Sequence, residues 1–171
     1  MEIDIKAMLE QAKSHQAEQP FGVSFDTLPE KFPEKVPREN QKTSVAFLFA
    51  WAAVNDVLDV VAIEAEFPQF SYQGGIIRNR TPVQFLEMID DRFMPRFVVG
   101  PARSFLLAYF WPGWRHRYNV DFDKVFVTEY ADALLVKPGF PSTWHVPGAW
   151  PEFDSIAPLI SQRFSEWQAS R

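Results

Sequence analysis

Two adjoining stretches constrain the fold more than any others. They are Phe32-Pro33-Glu34-Lys35-Val36-Pro37-Arg38-Glu39-Asn40 and the aromatic-apolar run Val45-Ala46-Phe47-Leu48-Phe49-Ala50-Trp51 that follows it. Each proline fixes φ and removes a backbone donor, so the first stretch leads stiffly into the second without continuing as a helix. From about Asn40 to Asn55 the sequence is apolar around most of a helical circumference, the pattern of a helix enclosed by other elements. A chain built on such a helix must supply apolar partners on every side. This one carries 17 Phe, 6 Trp and 4 Tyr among its 171 residues, and large rings contribute much of the burial in a core or an interface.

The length is that of about one ordinary domain. The expected class is mainly α (α+β), a compact single domain over 1–171 with about five helices and a minor β-hairpin or short strands. Residues 1–19 read as an N-terminal helix, with Asp4 as its cap, Ile5, Met8, Leu9 and Ala12 at helical spacing, and an end near Gln16. Residues 20–38 read as a proline-rich extended segment and 39–171 as the helical body. Within that body, Thr81-Pro82-Val83-Gln84 has the pattern of a capping box and predicts a helix from 82 to 91. Gly74-Gly75 predicts a turn, and Gly100-Pro101 opens another helix that Pro112-Gly113 breaks. Val125 to Thr128 and Leu134 to Val136 resemble short strands, and Asp154 reads as the cap of an amphipathic last helix.

Composition excludes several chemistries. Cysteine is absent, so there is no disulfide framework, thiolate zinc site or cysteine nucleophile. That fits the cytoplasm, as does the mixed, acidic start Met1-Glu2-Ile3-Asp4, which lacks a signal peptide's basic start and apolar stretch. The longest apolar segment, Val45 to Val54, is about half of the roughly 20 residues that cross a bilayer, so no membrane partner is expected. A net charge of -5 argues against general nucleic-acid binding. No Gly-x-Ser-x-Gly elbow or phosphate loop is present, and no serine stands out as a partner for His15, His116 or His145. Asp121-x-Asp123 with Glu129 and Asp132 matches no metal-ligand spacing, nor do His116 and His145, and no metal or cofactor is implied. His145, in a stretch dense with rings and helix breakers, is expected to be packed and satisfied by a backbone group.

The charge distribution is more telling than its total. Between Arg78 and Arg117, seven arginines face three acids, so a basic middle sits inside an acidic protein. One reading is internal pairing of these arginines with the acidic flanks. The other is a docking surface for an acidic protein, built from Arg78, Arg80, Arg92, Arg96, Arg115 and Arg117 with Trp114, since Arg and Trp are enriched at interface hot spots.

Several segments in order resemble an uncharacterised bacterial domain family (DUF7832-like) seen among polymorphic-toxin and immunity-like genes. They are Phe32-Pro33, Val36-Pro37, Glu39-Asn40, Phe49, Trp51, Thr81-Pro82 and Phe85-Leu86. Tyr109-Phe110, Tyr118, Asp121, Trp144-His145-Val146, Trp150, Arg163-Phe164 and Trp167 continue the series. The resemblance spans about residues 30 to 168 and implies a cytoplasmic immunity protein that neutralises a cognate toxin by stoichiometric docking. It carries over no catalytic residue. The alternatives are an enzyme with a long-range site at His116, Asp121 and His145, and a structural or regulatory subunit that forms homo-oligomers.

Overall fold

The computed structural model describes residues 14–15, 18–22, 33–110, 117–128, 134 and 139–171. Seven α-helices lie among them: α1 Thr43–Val54, α2 Val60–Glu66, α3 Tyr72–Ile76, α4 Pro82–Glu87, α5 Gly100–Phe110, α6 Arg117–Phe126 and α7 Trp150–Ala169. The domain is mainly helical, as its periodicity predicts. The N-terminal helix falls almost wholly outside the described residues.

Helix α1 is buried at every residue from Thr43 to Ala53. Successive side chains advance about 100° around a helix, so Phe47 and Trp51 share a side and Phe49 points away from it. Phe49 packs against Phe70, Phe85 and Phe93 with ring centroids 6.1, 4.8 and 5.1 Å away. Phe47 meets Phe122, Phe126 and Phe153, and Trp51 meets Phe105 and Phe164. Burying each such ring contributes about 1.5–3 kcal/mol, so the rings gathered on this one helix supply several such contributions. Its polar atoms are satisfied within the packing: Trp51 Nε1 donates to Ser161 Oγ at 3.0 Å, and the Tyr118 hydroxyl donates to the Ser44 carbonyl at 2.6 Å.

The run into α1 is less extended than its prolines suggest. Val36 N bonds Pro33 O at 3.1 Å and Asn40 N bonds Pro37 O at 3.0 Å, making a turn that passes into a 3-10 helix over Arg38–Lys42. Residues 23–32 of the expected extended segment lie outside the described residues. Phe21 is anchored beneath, its ring 4.8 Å from Phe93 and 5.3 Å from Phe110.

The predicted capping box is formed in full: Gln84 N donates to Thr81 Oγ1 at 3.2 Å, and Thr81 N donates to Gln84 Oε1 at 3.0 Å. The helix nevertheless ends at Glu87, short of the expected 91, because two residues beyond it take left-handed backbone. Gly74 and Gly75 lie inside α3, where a turn was expected. Ser71 caps this short helix, and a Cβ at Gly75 would strike the Phe85 ring, so the glycine lets α3 close on α4.

Two further expectations need correction. Val125 and Phe126 are the last residues of α6, not the start of a hairpin. Among the described residues that follow, Val127 makes an isolated parallel bridge to Phe140, and the other expected strand lies outside them apart from Leu134. The only other bridge among the described residues joins Leu58 and Val98. Asp154 does not cap the last helix, which begins four residues earlier at Trp150 with Pro151 in its first turn. Proline suits that place because its missing N–H has no helical partner there. Among the described residues, no helix is long and apolar enough to cross a membrane.

The closeness of α3 and α4 is directly testable. Gly75→Ala forces its methyl group into the Phe85 ring and is expected to lower stability by about 1–3 kcal/mol. A urea midpoint unchanged from the parent would contradict this packing.

Candidate functional site

The end of α4 builds the most unusual piece of surface. After Glu87 the chain turns through Asp90 and Asp91 with φ of 52° and 59°. Left-handed backbone costs a non-glycine residue about 1–2 kcal/mol, although aspartate tolerates it better than most. Hydrogen bonds from Asp90 N to Glu87 O and from Asp91 N to Leu86 O hold the turn. The result aims Asp91 at Lys42, the last residue of the 3-10 turn before α1. Lys42 Nζ lies 2.6 Å from Asp91 Oδ2 and 3.2 Å from Glu87 Oε1. Burial disfavours the lysine's charge, but the hydrogen bonds it donates to Asp91 and Glu87, with their negative charges, outweigh it and raise the pKa above its ordinary value. Asp91 Oδ1 is enclosed and makes no hydrogen bond, which is rare for a buried polar atom.

This bridge touches two open clefts. Lys42 and Asp91 line one of about 330 Å³, with Phe21, Gly22, Asp90 and Arg92 around them. Glu87 lines another of about 480 Å³, with Glu39, Asn40, Gln84, His145 and Gly148. The walls of the larger cleft are fixed to the start of α1. Asn40 Nδ2 donates to the Trp144 carbonyl at 3.0 Å and Thr43 Oγ1 to the Val146 carbonyl at 3.0 Å. Gly148 is pressed so closely on Val83 that a Cβ there would overlap it. His145 is half-buried, with Nδ1 2.9 Å from Ser142 Oγ. A serine partner thus exists where none was evident in the sequence, and the expected backbone partner is replaced by a side chain. Because Ser142 lies three residues away in the same turn, the pair has the form of a local side-chain clasp.

The arginines are distributed over separate places. Arg78 reaches Asp154 with two bonds of 2.7 Å, its guanidinium 4.5 Å from the Trp150 ring centroid. Trp150 Nε1 in turn donates to the Arg80 carbonyl at 2.7 Å. Arg96 pairs with Glu66 at 2.6 Å, and Arg117 with Glu166 at 3.5 Å. Arg92 lines the smaller cleft. Trp114, Arg115 and His116 lie outside the described residues. Internal pairing therefore accounts for Arg78, Arg96 and Arg117, while Arg80 is exposed beside Trp150.

Asp121 has a structural setting. Only 2% exposed, it accepts from Arg163 Nε at 2.8 Å, Arg163 Nη2 at 3.1 Å and the Tyr109 hydroxyl at 2.8 Å. Both carboxylate oxygens are thereby used, and α5, α6 and α7 are tied at one point. The hydrogen bond to Asp121 raises the Arg163 pKa against the opposing effect of burial, while burial drives the Tyr109 hydroxyl upward. Glu166, hydrogen-bonded by Arg163, is held below its ordinary value. Arg163 reaches Asp121 from 42 residues along the chain. Asp121 does not line the cleft that His145 lines. Among the described residues, no group of three or more His, Asp or Glu side chains is arranged to hold a metal ion.

Glu39, Lys42, Glu87 and Asp91 were not among the site residues expected from the sequence. The available signal was the Asp90-Asp91 pair at a helix end, because aspartate is among the few residues that visit left-handed backbone. Comparison with protein-family models, curated proteins and solved structures finds no match to this chain.

The Asp121 cluster yields a sharp test. Asp121→Asn removes the charge that Arg163 faces in a nearly closed site, and breaking a buried pair costs about 3–5 kcal/mol. Denaturant unfolding should show a loss of that order; a loss below about 1 kcal/mol would show that the pair is solvent-screened.

Proposed function

We propose that this chain is a non-catalytic protein-binding domain of the cytoplasm, an immunity protein that neutralises a cognate toxin by stoichiometric docking. The observation that carries this reading is the pair of clefts beside the Lys42 bridge. Their walls are tied to the buried helix α1, while their rims present exposed carboxylates, amides and a half-buried histidine. A surface already held in one conformation loses less entropy on association than one that must be ordered. The strained Asp90-Asp91 turn and the unsatisfied Asp91 oxygen are also what a recognition surface tolerates for the sake of a partner.

The runner-up, catalysis at His116, Asp121 and His145, draws less support. Asp121 is saturated by Arg163 and Tyr109, so it has no free oxygen with which to orient a histidine. Self-association through exposed rings is the third reading, and Trp150 is committed to Arg78 and the Arg80 carbonyl.

Tagged protein expressed in its source cells should co-purify with one partner at 1:1 stoichiometry, and co-expression should relieve that partner's toxicity. Neutralisation well below equimolar amounts would indicate turnover and overturn the reading. So would a tagged protein that recovers only copies of itself.

A further inference from the structure

Resting on this docking reading, we propose that the larger cleft receives a cationic side chain of the partner, an arginine or lysine, between Glu39 and Glu87. The partner's contact patch is then basic, the reverse of what the arginine-rich middle of the sequence leads one to expect.

The cleft lies between the 3-10 turn before α1, the face of α4 that runs from its cap Thr81 to its last residue Glu87, and residues 145–149. Its volume of about 480 Å³ falls within the usual range for a ligand pocket. Its lining contains two carboxylates, Glu39 and Glu87, and neither a lysine nor an arginine. Glu39 makes no ion pair among the described residues. Glu87 spends one oxygen on Lys42 at 3.2 Å, while Lys42 sits closer to Asp91, at 2.6 Å. Glu87 Oε2 thus stays open to a second donor.

The lining also matches the shape of a long cationic side chain. Pro37, Val83 and Pro147 give apolar wall against which a methylene stem can lie, leaving the charged head to the carboxylates at the rim. The amide of Asn40 is already committed to the Trp144 carbonyl, so it stiffens the wall rather than competing for the ligand. Two further side chains stand nearby. Arg38 is exposed next to Glu39 but does not line the cleft, and His145 lines it with Nδ1 held by Ser142. An anion would meet a lining with two carboxylates and neither a lysine nor an arginine, and like charges brought together at an interface cost several kcal/mol. Among the residues lining the two clefts the carboxylates of Glu39, Glu87, Asp90 and Asp91 outnumber Lys42 and Arg92 by four to two, and counting Arg38 beside Glu39 the acids still lead by four to three, so the field favours a cation.

The full chain titrated with the blocked tripeptide Gly-Arg-Gly tests this, with Gly-citrulline-Gly as the uncharged isostere. Arginine peptide should shift the Gly148 amide, Asn40 side-chain amide and His145 ring signals in NMR spectra, and the citrulline peptide should not. The double variant Glu39→Gln, Glu87→Gln should weaken the arginine peptide by about tenfold or more, because charge-assisted hydrogen bonds are lost. Both residues are exposed, so an unchanged thermal midpoint verifies the fold. Shifts spread over the acidic surface, or equal binding by the double variant, would overturn the proposal. The same variant separates the two levels of inference. If the partner is captured equally well by parent and variant, the cleft assignment fails and docking stands. If the peptide binds as expected while no partner protein is recovered, docking fails and the cationic cleft stands.

Discussion

The structure depends on the complete enclosure of α1. A helix with no wet face cannot be stable by itself, since its apolar side chains gain only when other elements cover them. Each sector of α1 recruits a different set of rings: α4 and the segment around Phe93 through Phe49, α6 and the start of α7 through Phe47, and α5 with the later part of α7 through Trp51. The elements that touch α1 are thereby placed relative to one another. The Asp121, Arg163 and Tyr109 cluster adds a directional lock where α5, α6 and α7 meet.

The candidate site is a by-product of how α1 begins. Asn40 and Thr43 stand at its N-terminal end and hold the carbonyls of Trp144 and Val146, drawing the 143–149 segment onto the same end as α4. Lys42, between them in sequence, is left pointing at Glu87 and Asp91. Exposed ion pairs of this kind contribute about 0–1 kcal/mol each, so they do not hold the fold together. Their effect is on surface charge: Lys42 is consumed, Asp91 is half satisfied, and the carboxylates of Glu39 and Glu87 are presented at the mouth of a fixed cleft.

Much of the architecture was legible in the sequence, because apolar continuity from Val45 to Val54 and the Thr81 capping box are local signals with local causes. Where the reading failed, a tertiary contact or a backbone effect prevailed. Asp154 resembled a helix cap, but Pro151 starts the helix earlier and Arg78 claims the carboxylate. Gly75 resembled a turn residue, but a ring from α4 needs the space. Periodicity carried α4 through Asp91, whereas the chain turns left-handed there and makes the site. The arginines were visible as a cluster in sequence, yet their partners Glu66, Asp154 and Glu166 come from distant segments that no spacing rule connects.

Hydrogen exchange of the native protein tests the central role of α1 most directly. If its enclosure organises the whole domain, the amides of Phe47 to Ala53 can open only when everything opens. Their exchange free energies should then equal the global unfolding free energy from denaturant melts and be matched, not exceeded, by those of α5 and α7. Exchange of α1 through a smaller opening, with α5 and α7 still protected, would contradict the account.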